Sequence, residues 1–108
     1  MKYIILDNCD FGTVLMFDDS YKHCEAAAPR CPVKSNDYGS DYGENYGEYP
    51  RVSGAGFVQI RANNEVGCYG ESTSLYRDPS GTPTKSRGIE DARVIARVLG
   101  HNFTAIEI

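Results

Sequence analysis

Apolar residues in this chain fall into short runs, and turn chemistry separates them. Lys2-Tyr3-Ile4-Ile5-Leu6 is β-rich and is followed by Asp7-Asn8-Cys9-Asp10-Phe11-Gly12, a stretch of turn formers. Thr13 to Phe17 (TVLMF) is a second apolar run, predicted to be a buried strand paired with the first. Asp18-Asp19-Ser20 reads as a helix start, with Ser20 as the cap and the acids suited to the helix dipole. The helix is expected over about 20–28 and must stop at Pro29. Phe57-Val58-Gln59-Ile60-Arg61 alternates, Ala62 to Glu65 is a turn, and Val66 to Gly70 returns, which predicts a hairpin. A long loop is expected over Asp78 to Pro83. Ile89, Ala92, Ile95, Ala96 and Leu99 then recur at helical spacing, widened by Val98, and Gly100 is a natural stop. Phe103 to Ile108 closes the chain as a strand. These elements predict an α+β fold, a mixed sheet of about five to six strands with two helices packed on it. The strands are expected near 2–6, 13–17, 56–61, 66–71 and 103–108, and the helices near 20–28 and 87–99.

With 108 residues, the chain suits one domain spanning 1–108. No stretch approaches the length of a membrane span, and the opening apolar run is too short for a signal peptide, so a cytoplasmic protein is expected. Residues 35–50 carry four acids and no Lys or Arg, which equals the whole net charge of −4. The remainder is near neutral, so a nucleic-acid partner is not expected. Cys24 and Cys31, the closest cysteine pair, have six residues between them, too loose for a C-x-x-C metal site; no metal or other cofactor is expected.

The 35–50 segment repeats every four residues as Asp37-Tyr-Gly-Ser, Asp41-Tyr-Gly-Glu and Asn45-Tyr-Gly-Glu, with Tyr49-Pro50 trailing. Glycine at every fourth position discourages helix, and tyrosines four apart do not fit strand alternation. A flexible surface loop is expected. It is either a tolerated insertion or a recognition arm in which Tyr38, Tyr42, Tyr46 and Tyr49 engage a protein partner. Arg93 and Arg97, one turn apart, read as a solvated helix face rather than an anion patch.

Gly70-Glu71-Ser72-Thr73-Ser74 lacks the last glycine and the following helix of a nucleophile elbow, which excludes a hydrolase triad on that motif. What remains is a strand end followed by three hydroxyls in a polar loop, a possible oxyanion cradle.

Taken in order, several segments resemble the phosphohistidine phosphatase (janus/ocnus) family. Lys2-Tyr3-Ile4-Ile5-Leu6 is similar to its opening Lys-Tyr strand, and His23-Cys24-Glu25-Ala26 to its His-Ala-Asp segment. Gly54-Ala55-Gly56-Phe57-Val58 resembles its triple-glycine, Arg, Ile strand start, and Val66 to Ser72 its Val-Tyr-Gly-x-Ser strand end. The resemblance covers about three quarters of the chain and omits 30–53. It implies His23 as the catalytic residue and Lys2, Cys24, Ser72 and Ser74 as phosphate-binding, with a phosphorylated protein or peptide as substrate. The chain departs from the pattern at Phe57, where the family has an arginine, and at Lys22, where an aromatic residue is usual. The implied activity is a metal-independent phosphatase acting on phosphohistidine or a related phosphoramidate. The alternative is a non-catalytic protein-binding or inhibitor protein on the same fold, of the kind phages and mobile elements encode, using the 35–50 loop.

Overall fold

The computed structural model describes residues 1–7, 13–30, 47–49, 51–78 and 80–108; for 47 and 48 it describes the backbone only. The strands are β1 (Lys2–Leu6), β2 (Thr13–Phe17), β3 (Gly47–Glu48), β4 (Val52–Ile60), β5 (Glu65–Tyr69), β6 (Glu71–Tyr76), β7 (Pro83–Lys85) and β8 (Thr104–Ala105). The helices are α1 (His23–Ala27) and α2 (Ile89–Leu99). A mixed five-stranded sheet runs β2-β1-β4-β5-β8, and a smaller sheet runs β3-β6-β7. The fold is α+β, as the pattern predicts.

β1 explains the architecture. It lies between β2 and β4 and is antiparallel to both. Its side chains alternate between two cores. Ile4 and Leu6 pack with Cys24, Ala27, Tyr49, Val52, Ala55 and Leu75. Tyr3 and Ile5 pack with Val58, Val66, Cys68, Ala92, Ile95 and Ala96. A strand covered on both faces needs apolar residues at successive positions, which is why Tyr3 to Leu6 reads as an unbroken run. The helix α2 covers one face. On the other lie α1 and residues of the small sheet.

The predicted hairpin is β4–β5. Arg61 N–H donates to Glu65 O at 2.8 Å, and Asn64 takes φ 61°, the positive value that asparagine tolerates.

The structure corrects several expectations. Ser20 does not cap α1; its N–H donates to the Asp18 carboxylate in an Asx turn. The helix starts two residues after Tyr21, and the Glu25 carboxylate reaches back to Lys22 N–H. β4 begins at Val52 rather than 56, and the final strand is only Thr104–Ala105, parallel to β5. Val98 is exposed. The hydroxyl run is not a loop: Gly70, with φ 81°, breaks the strand between β5 and β6, and Ser72 to Ser74 lie inside β6.

The expected loop over 35–46, with Tyr38, Tyr42 and Tyr46, lies outside the described residues. Its far end does not behave as a loop. Gly47–Glu48 pairs with Leu75 and Tyr76 of β6, and Tyr49 N–H donates to Tyr76 O at 3.0 Å. The Tyr49 ring is fully buried in the α1-side core, so Tyr49 is a core residue and not part of a surface arm. Among the described residues no helix is long and apolar enough to cross a membrane.

Candidate functional site

The five residues that the resemblance singles out as catalytic or phosphate-binding belong to three elements that converge at the start of α1. β1 contributes Lys2, α1 contributes His23 and Cys24, and β6 contributes Ser72 and Ser74. At the junction Cys24 N–H donates to Ser74 Oγ at 3.1 Å across fifty positions of sequence. Lys2 Nζ donates to Tyr21 O at 2.7 Å, which brings the ammonium to the turn just before His23.

His23 is 4% exposed, and its Nε2 lies 2.8 Å from Gly56 O. A carbonyl only accepts, so Nε2 carries the proton and Nδ1 keeps the lone pair of a neutral imidazole. Burial holds the His23 pKa below its ordinary value of 6.5, and the Lys2 charge pushes the same way. The Gly56 bond opposes both. The ring is flanked edge-on by Phe17 at 5.6 Å and Phe57 at 6.0 Å between centroids. Register explains this: Lys2 is paired with Phe17 on one side and Phe57 on the other. Directly opposite residues share a face, so the three form one row beneath the imidazole. Phe57 also stacks on Tyr69, its partner in β5, at 5.7 Å. Gly70 makes room for that ring, because a Cβ there would stand 2.9 Å from Phe57 Cδ2.

The hydroxyls sit at an irregularity in β6. The ladder to β7 steps from Ser72–Thr84 to Tyr76–Pro83, so β7 advances one residue while β6 advances four. Three residues, Thr73 to Leu75, are therefore extra on β6. A bulge of this kind re-aims side chains, and here it leaves Ser72 and Ser74 both buried on the α1 side. Ser72 Oγ is 3.4 Å from Ser74 Oγ and 3.4 Å from Ser74 N. Both are long for hydroxyl hydrogen bonds, whose usual O···O separation is about 2.7–2.8 Å, so the Ser72 hydroxyl is weakly satisfied. Cys24 is a buried thiol whose pKa is pushed up, chiefly by burial.

Sequence reasoning missed two residues beside this site and one buried carboxylate on the opposite face of the sheet. Phe17 reads in sequence only as part of an apolar strand, although register places it beside Lys2. Thr84 follows the Asp78–Pro83 loop in sequence without any motif around it, yet it pairs with Ser72 and is 3% exposed. Asp91 has no apolar signature, but it is fully buried beneath β1 and β4 on the α2 side. Its only sequence signal is Gly54, where a Cβ would stand 2.3 Å from Asp91 Oδ2.

No family model matches the chain, and no curated protein or solved structure matches it.

Proposed function

We propose that the chain is a metal-independent phosphatase acting on phosphohistidine or a related phosphoramidate. The observation that carries this reading is the Cys24–Ser74 contact at 3.1 Å, which joins the residue after His23 to the weakly satisfied β6 hydroxyls. A phosphoryl oxygen entering there would take over the Cys24 N–H and the Ser72 and Ser74 hydroxyls, and Lys2 would neutralise its charge. Cys24, Ser72 and Ser74 are buried and close together, so an entering phosphoryl oxygen would have to displace the Cys24–Ser74 hydrogen bond to reach them.

His23 is suited to general-base work. Its Nε2–H is held by Gly56 O, which fixes the ring and leaves Nδ1 to accept a proton. Its lowered pKa keeps it neutral at pH 7. In the proposed step Nδ1 takes a proton from water as the water oxygen bonds to phosphorus. The P–N bond breaks, its electron pair returns to the substrate ring nitrogen, and that nitrogen takes the proton from His23 Nδ1, which restores the neutral base. The products are inorganic phosphate and histidine.

Phe57 supports a second reading, a non-catalytic binding protein on the same fold. Where the family resemblance calls for an arginine, this chain places an aromatic ring stacked on half-exposed Tyr69, beside Lys2. Such a surface favours contact with a partner protein over phosphate charge neutralisation. A phosphohistidine-peptide assay at pH 7 separates the two readings. The phosphatase releases phosphate and loses that activity in His23→Ala, whereas the binding protein releases none in either form.

A further inference from the structure

We infer that Thr84 is an additional oxyanion donor, the third hydroxyl of the cradle formed by Ser72 and Ser74; this rests on the phosphate-binding reading above. Thr84 lies directly opposite Ser72 in the β6–β7 ladder, and directly opposite residues present their side chains to the same face. It is 3% exposed. Its Oγ1 is a buried side-chain oxygen with no hydrogen-bond partner among the described residues.

A buried hydroxyl left unpaired is destabilising, so a chain selected for stability alone would place valine at this β-strand position. Valine has the same shape, favours strands and carries no polar atom. The neighbouring Ser72 hydroxyl is also weakly satisfied, with both of its contacts at 3.4 Å. Two adjacent under-used donors at a three-residue bulge suit an acceptor with several oxygens. A tetrahedral phosphoryl group is one, taking one oxygen to Thr84 and another to Ser72 and the Cys24 N–H.

The test compares wild type, Thr84→Val and Thr84→Ser by the binding of inorganic phosphate, followed by titration, and by thermal midpoint without ligand. Thr84→Val is expected to weaken phosphate roughly tenfold, the loss of one hydrogen bond to a charged group, without lowering the midpoint. Thr84→Ser should bind within about twofold of wild type, since it keeps the donor. Equal phosphate affinity in Thr84→Val and wild type overturns the assignment. So does a lower midpoint in Thr84→Val, which would make the hydroxyl a structural group. Phosphohistidine turnover measured on the same samples separates this from the reading beneath it. An active wild type with an unaffected Thr84→Val ends only the Thr84 role. A wild type that binds phosphate through Thr84 but turns nothing over ends only the phosphatase. A wild type that does not bind phosphate ends the Thr84 role as well.

Discussion

The Tyr3 hydroxyl donates to Asp91 Oδ2 at 2.5 Å, joining two fully buried residues 88 positions apart in sequence. Ser86 Oγ lies 2.7 Å from the same phenol, and Arg87 supplies both its N–H and its Nε to the carboxylate, at 2.9 and 2.6 Å. The buried charge is thus paired and hydrogen-bonded, the condition under which burial is tolerable. It pins the start of α2 to the central strand on the face opposite His23. Tyr3→Phe should lower unfolding free energy by roughly 1–3 kcal/mol in a urea titration while leaving phosphate binding unchanged. Gly54→Ala should be destabilising too, since its Cβ would fall 2.3 Å from Asp91 Oδ2. An unchanged urea midpoint in Tyr3→Phe would show that the phenol–carboxylate bond adds nothing.

The imidazole sets a pH dependence of stability. Burial lowers the His23 pKa in the folded chain below 6.5, so the unfolded chain binds more protons between the two values. Stability is therefore complete above about pH 6.5 and is lost as pH falls through the depressed folded pKa. His23→Gln should flatten that part of the stability–pH curve. Parallel curves for the two proteins between pH 7.5 and 5 would show that His23 titrates as an exposed histidine does. The same neutral base should keep turnover on its plateau below the pH at which an ordinary histidine protonates.

Replacing Phe57 tests what the aromatic row costs in phosphate affinity. Phe57 is the register partner of Lys2, so Phe57→Arg puts two like charges directly opposite each other. The variant should melt lower than wild type in phosphate-free buffer. It should also gain more from added phosphate, because the anion neutralises both cations and stabilises the folded form by mass action. If phosphate raises the two midpoints equally, position 57 does not face the anion.

Thiol reactivity should follow burial. The Cys68 thiol is pushed up to about 12, first by burial and then by the charge of Asp91, and burial raises Cys24 as well. The thiolate is the reactive form, so neither should label with a disulfide reagent at pH 8 until the chain unfolds. Labelling of Cys68 in the folded protein at the rate of an exposed thiol would contradict its place beneath α2.

Much of the fold was legible because it follows local pattern. The unbroken run Tyr3 to Leu6 and the Ala92, Ile95, Ala96 stripe each report which faces are covered, whereas the alternation of Val58 and Ile60 does not, since Val58 is buried and Ile60 at the end of β4 is exposed. The α1 start was misplaced because an Asx turn at Asp18 and a helix cap use the same residue types. The strand β6 was hidden because three successive hydroxyls after Gly70 read as a polar loop, although the chain leaves one sheet for another there and stays extended. Tyr49 was grouped with its repeat because spacing, not burial, is what a repeat displays. Of the candidate site, the resemblance supplied Lys2, His23, Cys24, Ser72 and Ser74 as separate residues. Their convergence depends on the β1–β4 register and the β6 bulge, and neither of these is a local property. Thr84 was invisible for the same reason, since only strand pairing sets it beside Ser72.

The most direct measurement is phosphate release from a phosphohistidine peptide at pH 7 by wild type beside His23→Ala. Loss of a general base typically costs about 10²–10⁴-fold in turnover, and a fall of that size with an unchanged circular dichroism spectrum is the expected result. Equal rates for the two proteins, or no release by either, would contradict the phosphatase reading.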